Sequence, residues 1–168
     1  MSRIQLAYCQ VTTPAGALTV VVDAASEIVM AAGYESISQL LTKAPSRGPA
    51  QPLRHVPHAL DQAFAAYNSG QVHALDRITV WTSPSRFNRS VAAAMRQVTG
   101  MVSYGQLAAL AGYPGAARAV GSVCSRNPVA VIVPCHRVIR ADGSLGNYGY
   151  GVDKKIILLQ AEGVLGDW

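Results

Sequence analysis

Apolar and polar residues alternate in the first third of the chain, as they do in half-buried β-strands. Turn-forming and helix-capping residues, among them Pro14, Gly16 and Ser36, separate the apolar segments. The pattern predicts strands over residues 4–11, 18–22, 28–32 and 78–81, and helices over residues 36–41 and 59–67.

The spacing becomes helical after residue 85. Apolar residues recur every three to four positions from Phe87 to Val98, and arginines lie on the opposite side of that predicted helix. Ser103 and Gln106 form a capping-box pattern that begins a second helix, through residue 111, and a third helix is predicted over residues 116–125. Two short helices around a glycine-containing turn predict a helix-turn-helix.

The third of these helices has an unusual outward face. Helical spacing turns Ala116, Val120, Val123 and Cys124 inward. It leaves a small, cationic outward face made of Arg118, Gly121, Ser122, Ser125 and Arg126. Small residues suit the minor groove of DNA, which is only about 6 Å wide and requires close backbone approach. The alternative is that Gly121 and the neighbouring alanines pack against another helix.

The composition excludes several classes of protein. The 168 residues are 50% hydrophobic and 14% charged, which excludes a disordered chain, and no apolar run is long enough to span a membrane. Three widely spaced cysteines, Cys9, Cys124 and Cys135, fit reduced thiols better than a disulfide framework. With no export signal visible at the N-terminus, we expect a cytoplasmic protein.

The net charge of +5 is concentrated in the second half of the chain. Residues 85–168 contain nine of the fourteen basic side chains and four of the nine acidic ones, whereas residues 1–84 are neutral. A polyanionic partner would therefore meet the second half, although a solvated basic surface explains the charge equally well.

Residues 129–133 are β-branched and apolar, so they predict a buried strand that ends at Cys135. A thiol is a good nucleophile only as the thiolate, and His136 and Arg137 could favour that form. Most free cysteines are simply small buried side chains, and we assign Cys9 and Cys124 to that class.

The chain ends in an apolar helix. Asp153 can cap this helix, and residues 156–159 would be apolar on every side, as in a buried helix. Glu162 follows one turn later, and its carboxylate needs a hydrogen-bond partner in these apolar surroundings. His136 is a suitable one, because the pair would fix the tautomer of the imidazole.

These motifs together resemble the O6-alkylguanine-DNA alkyltransferase family. The resemblance runs from about Phe87 to Gly163, and its central element is Pro134-Cys135-His136-Arg137. It implies an α/β (α+β) protein in which residues 1–81 form a ribonuclease H-like domain of antiparallel sheet and helices. Residues 82–85 would be a linker, and residues 86–168 a helical, winged-helix-like domain with the helix-turn-helix.

The resemblance also implies a role for each residue of the site. Cys135 accepts the alkyl group, His136 acts as its base through a water molecule, and Glu162 orients His136. Tyr104 would transfer a proton to the guanine, Arg118 would fill the space that the flipped base leaves in the duplex, and Asn127 would brace the turn before the cysteine. The residues implied to form the base pocket are Val138, Tyr148, Gly149 and Tyr150. Those implied to make further DNA contacts are Ser103, Ala119, Gly121, Ser122 and Arg126.

The implied activity is DNA repair by flipping O6-alkylguanine, mainly O6-methylguanine, through the minor groove and transferring the alkyl group irreversibly to Cys135. Each molecule acts once, with no cofactor and no metal. The resemblance further implies double-stranded DNA as the partner, no membrane, and a protein that is a monomer in solution and could cluster on DNA. Tyr150 departs from the small residue usual in the family and would exclude bulky adducts.

The alternative functions are a non-catalytic sensor of alkylated DNA, which would lack the cysteine, and a cysteine hydrolase.

Overall fold

A two-residue turn, Pro14-Ala15, joins the first two strands of the computed structural model, which describes residues 3–166. Strand β1 (Leu6–Thr13) pairs antiparallel with β2 (Gly16–Asp23), in a register that places Thr13 opposite Gly16. The Thr13 hydroxyl donates a 2.7 Å hydrogen bond to the Gly16 carbonyl oxygen and closes the turn.

Two more strands complete this sheet, in the order β3-β2-β1-β4. Strand β3 (Val29–Gly33) is antiparallel to β2, and the two-residue β4 (Gln51–Pro52) is parallel to β1. Helix α1 (Ile37–Leu41), capped by Ser36, contributes Leu40 to the core against β3. Helix α2 (His58–Asn68) buries the face that contains Leu60, Phe64 and Tyr67.

The strand predicted over residues 78–81 is reduced to a single bridge between Val80 and Val29. A one-turn 3₁₀ helix, Ala74–Arg77, precedes this bridge.

The described chain divides into two compact units. The first contains the residues up to Trp81 together with Pro128–Ile132, and the second contains Thr82–Asn127 and the residues from Val133 onward. Grouping residues 128–132 with the first unit differs from the prediction, which gave all of residues 86–168 to the second domain. The outermost positions of both predicted domains, 1–2 and 167–168, lie outside the described residues.

The strand predicted over residues 129–133 is wrong. Val129 forms one bridge to Ala32, and the chain then turns at Val131, which has a φ of 69°. A left-handed β-branched residue is strained and ends an extended segment, so the apolar run is buried as a turn.

The second unit consists of helices around a short parallel strand pair. Its elements are helix α3 (Arg86–Gln97), strand β5 (Val102–Ser103), helices α4 (Tyr104–Leu110) and α5 (Ala117–Ser125), strand β6 (Val138–Ile139) and helix α6 (Val152–Ala161). The predicted capping box is present: Gln106 N donates to Ser103 Oγ at 3.1 Å, and Ser103 N donates to the Gln106 side chain at 3.0 Å.

Helix α6 differs from the prediction in two respects. Its N-cap position is occupied by Gly151, which provides no side-chain cap, and Asp153 lies inside the first turn. It is also not buried on every side, since Ile157 is 39% exposed. No helix among residues 3–166 is both long and apolar enough to cross a bilayer.

Candidate active site

Helices α4 and α5 and the turn between them form the predicted helix-turn-helix. Gly112 and Gly115 occupy left-handed positions in the turn, with φ values of 89° and 86°. Val120 is the fully buried residue of α5, while Val123 and Cys124 are only partly buried. Of the residues predicted on the outward face, Arg118, Ser122, Ser125 and Arg126 are exposed, as is Ala119, which the resemblance implies as a DNA contact.

The sequence predicts Gly121 on the outward face of α5, but the residue is partly buried beside helix α4. A Cβ atom at this position would lie 3.9 Å from the ring of Tyr104, the first residue of α4. Burial raises the pKa of the Tyr104 hydroxyl, Cys124 and Cys135 add to the rise, and Arg140 opposes it. Tyr104 is therefore a protonated donor at neutral pH, close to the thiol.

Cys135 begins a one-turn 3₁₀ helix, Cys135–Arg137, directly after Pro134. The residue is partly exposed. The other two cysteines have unreactive surroundings, because burial raises the pKa of Cys9 to about 11 and, with a smaller contribution from Cys135, that of Cys124 to about 12. Of the three thiols, Cys135 lies in the motif that the sequence singles out.

His136 and Glu162 are in the contact expected from the sequence. Nε2 of His136 lies 2.7 Å from Oε1 of Glu162, and both side chains are almost completely buried. An ionised carboxylate only accepts hydrogen bonds, so the proton of the pair lies on Nε2 and a neutral ring has its lone pair on Nδ1. That Nδ1 atom is buried and hydrogen-bonds to no described residue.

Arg137 is a second partner of Glu162, which the sequence did not predict. Its Nε donates to Oε2 at 2.8 Å and its Nη2 donates to Oε1 at 3.2 Å, while Nη1 donates to the carbonyl oxygen of Val98. Burial by itself raises the pKa of the Glu162 carboxyl, but the hydrogen bonds and charges of His136 and Arg137 outweigh burial and hold the pKa at about 2. Glu162 is therefore ionised at neutral pH.

Asn127 connects the end of α5 to the segment before the cysteine. Its Nδ2 donates a 2.8 Å hydrogen bond to the carbonyl oxygen of Val133, and Cys135 N donates to the same oxygen at 2.9 Å. One carbonyl thus joins the helix-turn-helix to the nucleophile.

Lys155 is a buried cation that sequence reasoning did not assign to the site. Its ammonium group donates to the carbonyl oxygens of Val138 and Leu145 at 2.8 and 2.5 Å, and more weakly to that of Asn147. Burial lowers the pKa of Lys155, and the neighbouring thiols of Cys135 and Cys124 oppose this. A lysine within an apolar helix was the available signal, because a buried ammonium needs several acceptors.

The remaining predicted pocket residues lie in β6 and in the segment that joins β6 to α6. Val138 is buried, Gly149 is exposed, and the rings of Tyr148 and Tyr150 make an edge-to-face contact at 5.6 Å. Among residues 3–166 no group of three or more His, Cys, Asp or Glu side chains is arranged to hold a metal ion.

Comparisons with known proteins agree on one family. Residues 86–164 match the model of the 6-O-methylguanine DNA methyltransferase, DNA binding domain. A methylated-DNA–protein-cysteine methyltransferase of Salmonella typhimurium is 42% identical over 111 residues, which is 65% of each chain. The protein of that name from Rattus norvegicus is 62% identical over 65 residues, and the alignment covers 38% of this chain and 31% of the rat protein. These alignments thus span less than two thirds of the relatives' lengths.

The likeness to solved structures extends over nearly the whole chain. The crystal structure of Mycobacterium tuberculosis OGT in complex with DNA has a TM-score of 0.74 and 30% identity, and the match covers 93% of this chain and 92% of that one. The O6-methylguanine-DNA methyltransferase from Pyrococcus kodakaraensis, at 22% identity and a TM-score of 0.66, shares the fold.

Proposed function

The chain belongs to the methylated-DNA–protein-cysteine methyltransferase family, and on this premise we propose that it repairs DNA by moving the alkyl group of O6-alkylguanine, mainly O6-methylguanine, onto Cys135. The observation that carries the proposal is the partly exposed Cys135, which precedes His136 in sequence; Nε2 of His136 is held by Glu162, and its Nδ1 is left to accept a proton. An exposed cationic helix lies in the same unit.

The proposed reaction is an in-line displacement at the alkyl carbon. The Cys135 thiol gives its proton to His136 through a water molecule, and the resulting thiolate forms an S–C bond while the C–O6 bond breaks. Guanine takes the electron pair of that bond and accepts a proton from Tyr104, so that it leaves as the neutral base. The proton on His136 then passes through solvent to the Tyr104 phenolate and restores its hydroxyl group.

The product is a thioether, which has no electrophilic carbonyl for water to attack. The alkyl group therefore stays on Cys135 and each molecule acts once. No cofactor or metal enters this scheme.

Access to the lesion requires base flipping, because O6 of a stacked guanine cannot reach a partly buried thiol. We propose that the small outward face of α5, with Ala119, Gly121 and Ser122, enters the minor groove and that Arg118 fills the vacated space. Ser103 and Arg126 would contact the sugar-phosphate backbone of the DNA. Asn127 would hold the segment that precedes Cys135 against α5.

The flipped base would enter a pocket between β6 and α6. The carbonyl oxygens of Cys135 and Val138 would accept hydrogen bonds from the exocyclic amine, the Gly149 N–H would approach O6, and Tyr148 would form one wall. The description of the two domains as ribonuclease H-like and winged-helix-like stays a prediction.

Intact-mass spectrometry after incubation with a duplex that contains O6-methylguanine tests the proposal. We expect one persistent added methyl group per protein, and none with unmodified duplex. Binding without an adduct would support the non-catalytic sensor instead, and release of product with continued turnover would support a hydrolase.

A further inference from the structure

We propose that Arg140 binds a phosphate group of the DNA strand that carries the lesion, next to the flipped nucleotide. This inference deepens the proposed methyl transfer and rests on it. The ligand is a phosphodiester monoanion, and its site lies in the segment between β6 and α6 rather than on the DNA-binding helix α5.

Arg140 directly follows strand β6 and begins a tight turn. Its backbone N–H donates to the carbonyl oxygen of Ser144 at 3.0 Å, and Gly143 N donates to the carbonyl oxygen of Arg140 at 3.0 Å. Oδ1 of Asp142 accepts hydrogen bonds from the amide and the hydroxyl of Ser144, at 2.9 and 2.7 Å. These contacts fix the backbone from which the Arg140 side chain projects.

The Arg140 side chain lies along the segment that leads into the proposed base pocket. A Cβ atom at Gly146 would be 3.5 Å from Cγ and 3.6 Å from Nε of Arg140, and Tyr148, the proposed wall of the pocket, follows two positions later. Arg140 is also near Tyr104, since burial raises the pKa of the Tyr104 hydroxyl and the charge of Arg140 opposes that rise. Arg140 therefore lies at the entrance to the pocket, beside the proposed proton donor.

The guanidinium of Arg140 is available to a ligand. The residue is exposed, and among residues 3–166 no carboxylate lies within ion-pair distance of it and no oxygen accepts a hydrogen bond from its side chain. Asp142, two positions later, directs Oδ1 to Ser144 instead. Arg137 is the opposite case, because it is buried and its three nitrogen atoms already donate to Glu162 and Val98.

Base flipping brings a phosphate to this entrance. A flipped nucleotide rotates by about 180° about its backbone, and the two phosphates that flank it move with its sugar. The base enters the pocket, whereas the sugar and phosphates stay outside it, where an exposed guanidinium forms charge-assisted, bidentate hydrogen bonds with phosphate oxygens. In a duplex without a flipped base these phosphates remain on the helical path. Arg140 therefore binds the flipped state in preference to the stacked one.

The test measures duplex binding in a Cys135→Ser background, in which the lesion is not consumed. The duplexes contain O6-methylguanine and, one at a time, a neutral methylphosphonate at each of the two phosphates that flank it. Arg140→Gln removes the charge, and Arg140→Lys keeps the charge without the planar fork. Arg54→Gln, which removes an exposed arginine of the first unit, is the control for charge. Duplexes with the same methylphosphonates but no lesion report contacts that do not depend on flipping.

At one of the two flanking positions, the methylphosphonate should weaken binding to the lesion duplex by about tenfold. Arg140→Gln should weaken binding to the unsubstituted lesion duplex by a similar factor. The methylphosphonate at that position should then cost Arg140→Gln little more, because both changes remove the same contact. Arg140→Lys should recover part of the affinity, and Arg54→Gln should keep the full sensitivity to the methylphosphonate. Without the lesion, the coupling between Arg140 and this phosphate should disappear.

Independent effects of the two changes would overturn the proposal, because Arg140 would then contribute only general surface charge. Coupling of equal size on the duplex without a lesion, or unchanged binding by Arg140→Gln, would overturn it as well. Failure of the proposed function is read separately. If the wild type transfers no methyl group from the lesion duplex, the repair activity is wrong, while the coupling between Arg140 and the flanking phosphate still decides this inference.

Discussion

Nε2 of His136 lies 2.7 Å from Oε1 of Glu162, across 26 positions of sequence and inside a buried cluster. The contact joins the 3₁₀ turn that contains Cys135 to the C-terminal end of α6. It leaves Nδ1 as the basic atom of the ring, so the rate of transfer, the stability of the fold and the response to acid are linked through one carboxylate.

Acid stability should depend on Glu162. Its pKa of about 2 in the folded state lies below the ordinary 4.5, so the pair contributes stability above about pH 4.5 that is lost as pH falls towards 2. The contribution is on the order of 3 kcal/mol. Urea unfolding at pH 7 and pH 3 should show a large acid loss in the wild type and a smaller one in Glu162→Gln.

Glu162→Gln should also be less stable at pH 7, because it leaves the Arg137 guanidinium buried without its counter-charge, a cost of about 3–5 kcal/mol. Asp61→Asn, which changes an exposed carboxylate on α2, is the control. Equal acid sensitivity of wild type and Glu162→Gln would contradict the assigned linkage.

His136→Ala should slow methyl transfer by about 10² or more at neutral pH, the usual contribution of a general base. The difference from wild type should narrow as pH rises, because the Cys135 thiol then ionises without help. Rapid quench-flow measurements of the transfer rate at saturating duplex check this prediction. His73→Ala, which removes an exposed histidine of the first unit, should react at the wild-type rate. Equal rates for His136→Ala and wild type would show that another group ionises the thiol.

Tyr150 should restrict the size of the alkyl group. Its ring packs edge-to-face on Tyr148, so a bulky adduct would have to displace it. Transfer from O6-benzylguanine should be disproportionately slow relative to O6-methylguanine, and Tyr150→Gly should recover it. Tyr150→Phe keeps the ring and should keep the discrimination. A ratio of benzyl to methyl rates that is the same in wild type and Tyr150→Gly would place the ring outside the pocket.

Arg118 should matter more for duplex DNA than for the free base. If it fills the space left by the flipped guanine, Arg118→Ala lowers the ratio of the duplex rate to the free O6-methylguanine rate. Arg118→Lys should rescue this only in part, because an ammonium does not stack as a guanidinium does.

Arg126→Ala is the matched comparison for Arg118, since Arg126 is exposed at the end of the same helix. It should weaken binding to all duplexes and lower the salt slope by about one, with the duplex-to-free-base ratio unchanged. The same behaviour in Arg118→Ala would assign Arg118 to the surface charge and remove it from the flipping step.

The sequence predicted the helix-turn-helix and its capping box well, because both depend on local signals such as Ser103, Gln106 and Gly112. It failed at residues 129–133, where β-branched composition indicates a strand. Tertiary packing buries the run as a turn and forces Val131 into a left-handed conformation that no local pattern predicts.

The site shows the same division between local and long-range information. Cys135 and His136 are adjacent in a recognisable motif, and the apolar surroundings of Glu162 indicated that it needs a partner. The roles of Arg137 and Lys155 depend on contacts to carbonyl and carboxylate groups up to 39 positions away, which only the folded chain brings together.

Location of the methyl group is the most direct test of the central claim. After reaction of the wild type with methylated duplex, peptide mass spectrometry should find a single methyl group on Cys135. Cys9→Ser and Cys124→Ser should be methylated as the wild type is, and Cys135→Ser should bind the duplex but remain unmodified, because a neutral hydroxyl is a far weaker nucleophile than a thiolate. A methyl group on Cys9 or Cys124, or a Cys135→Ser variant that still accepts one, would contradict the account.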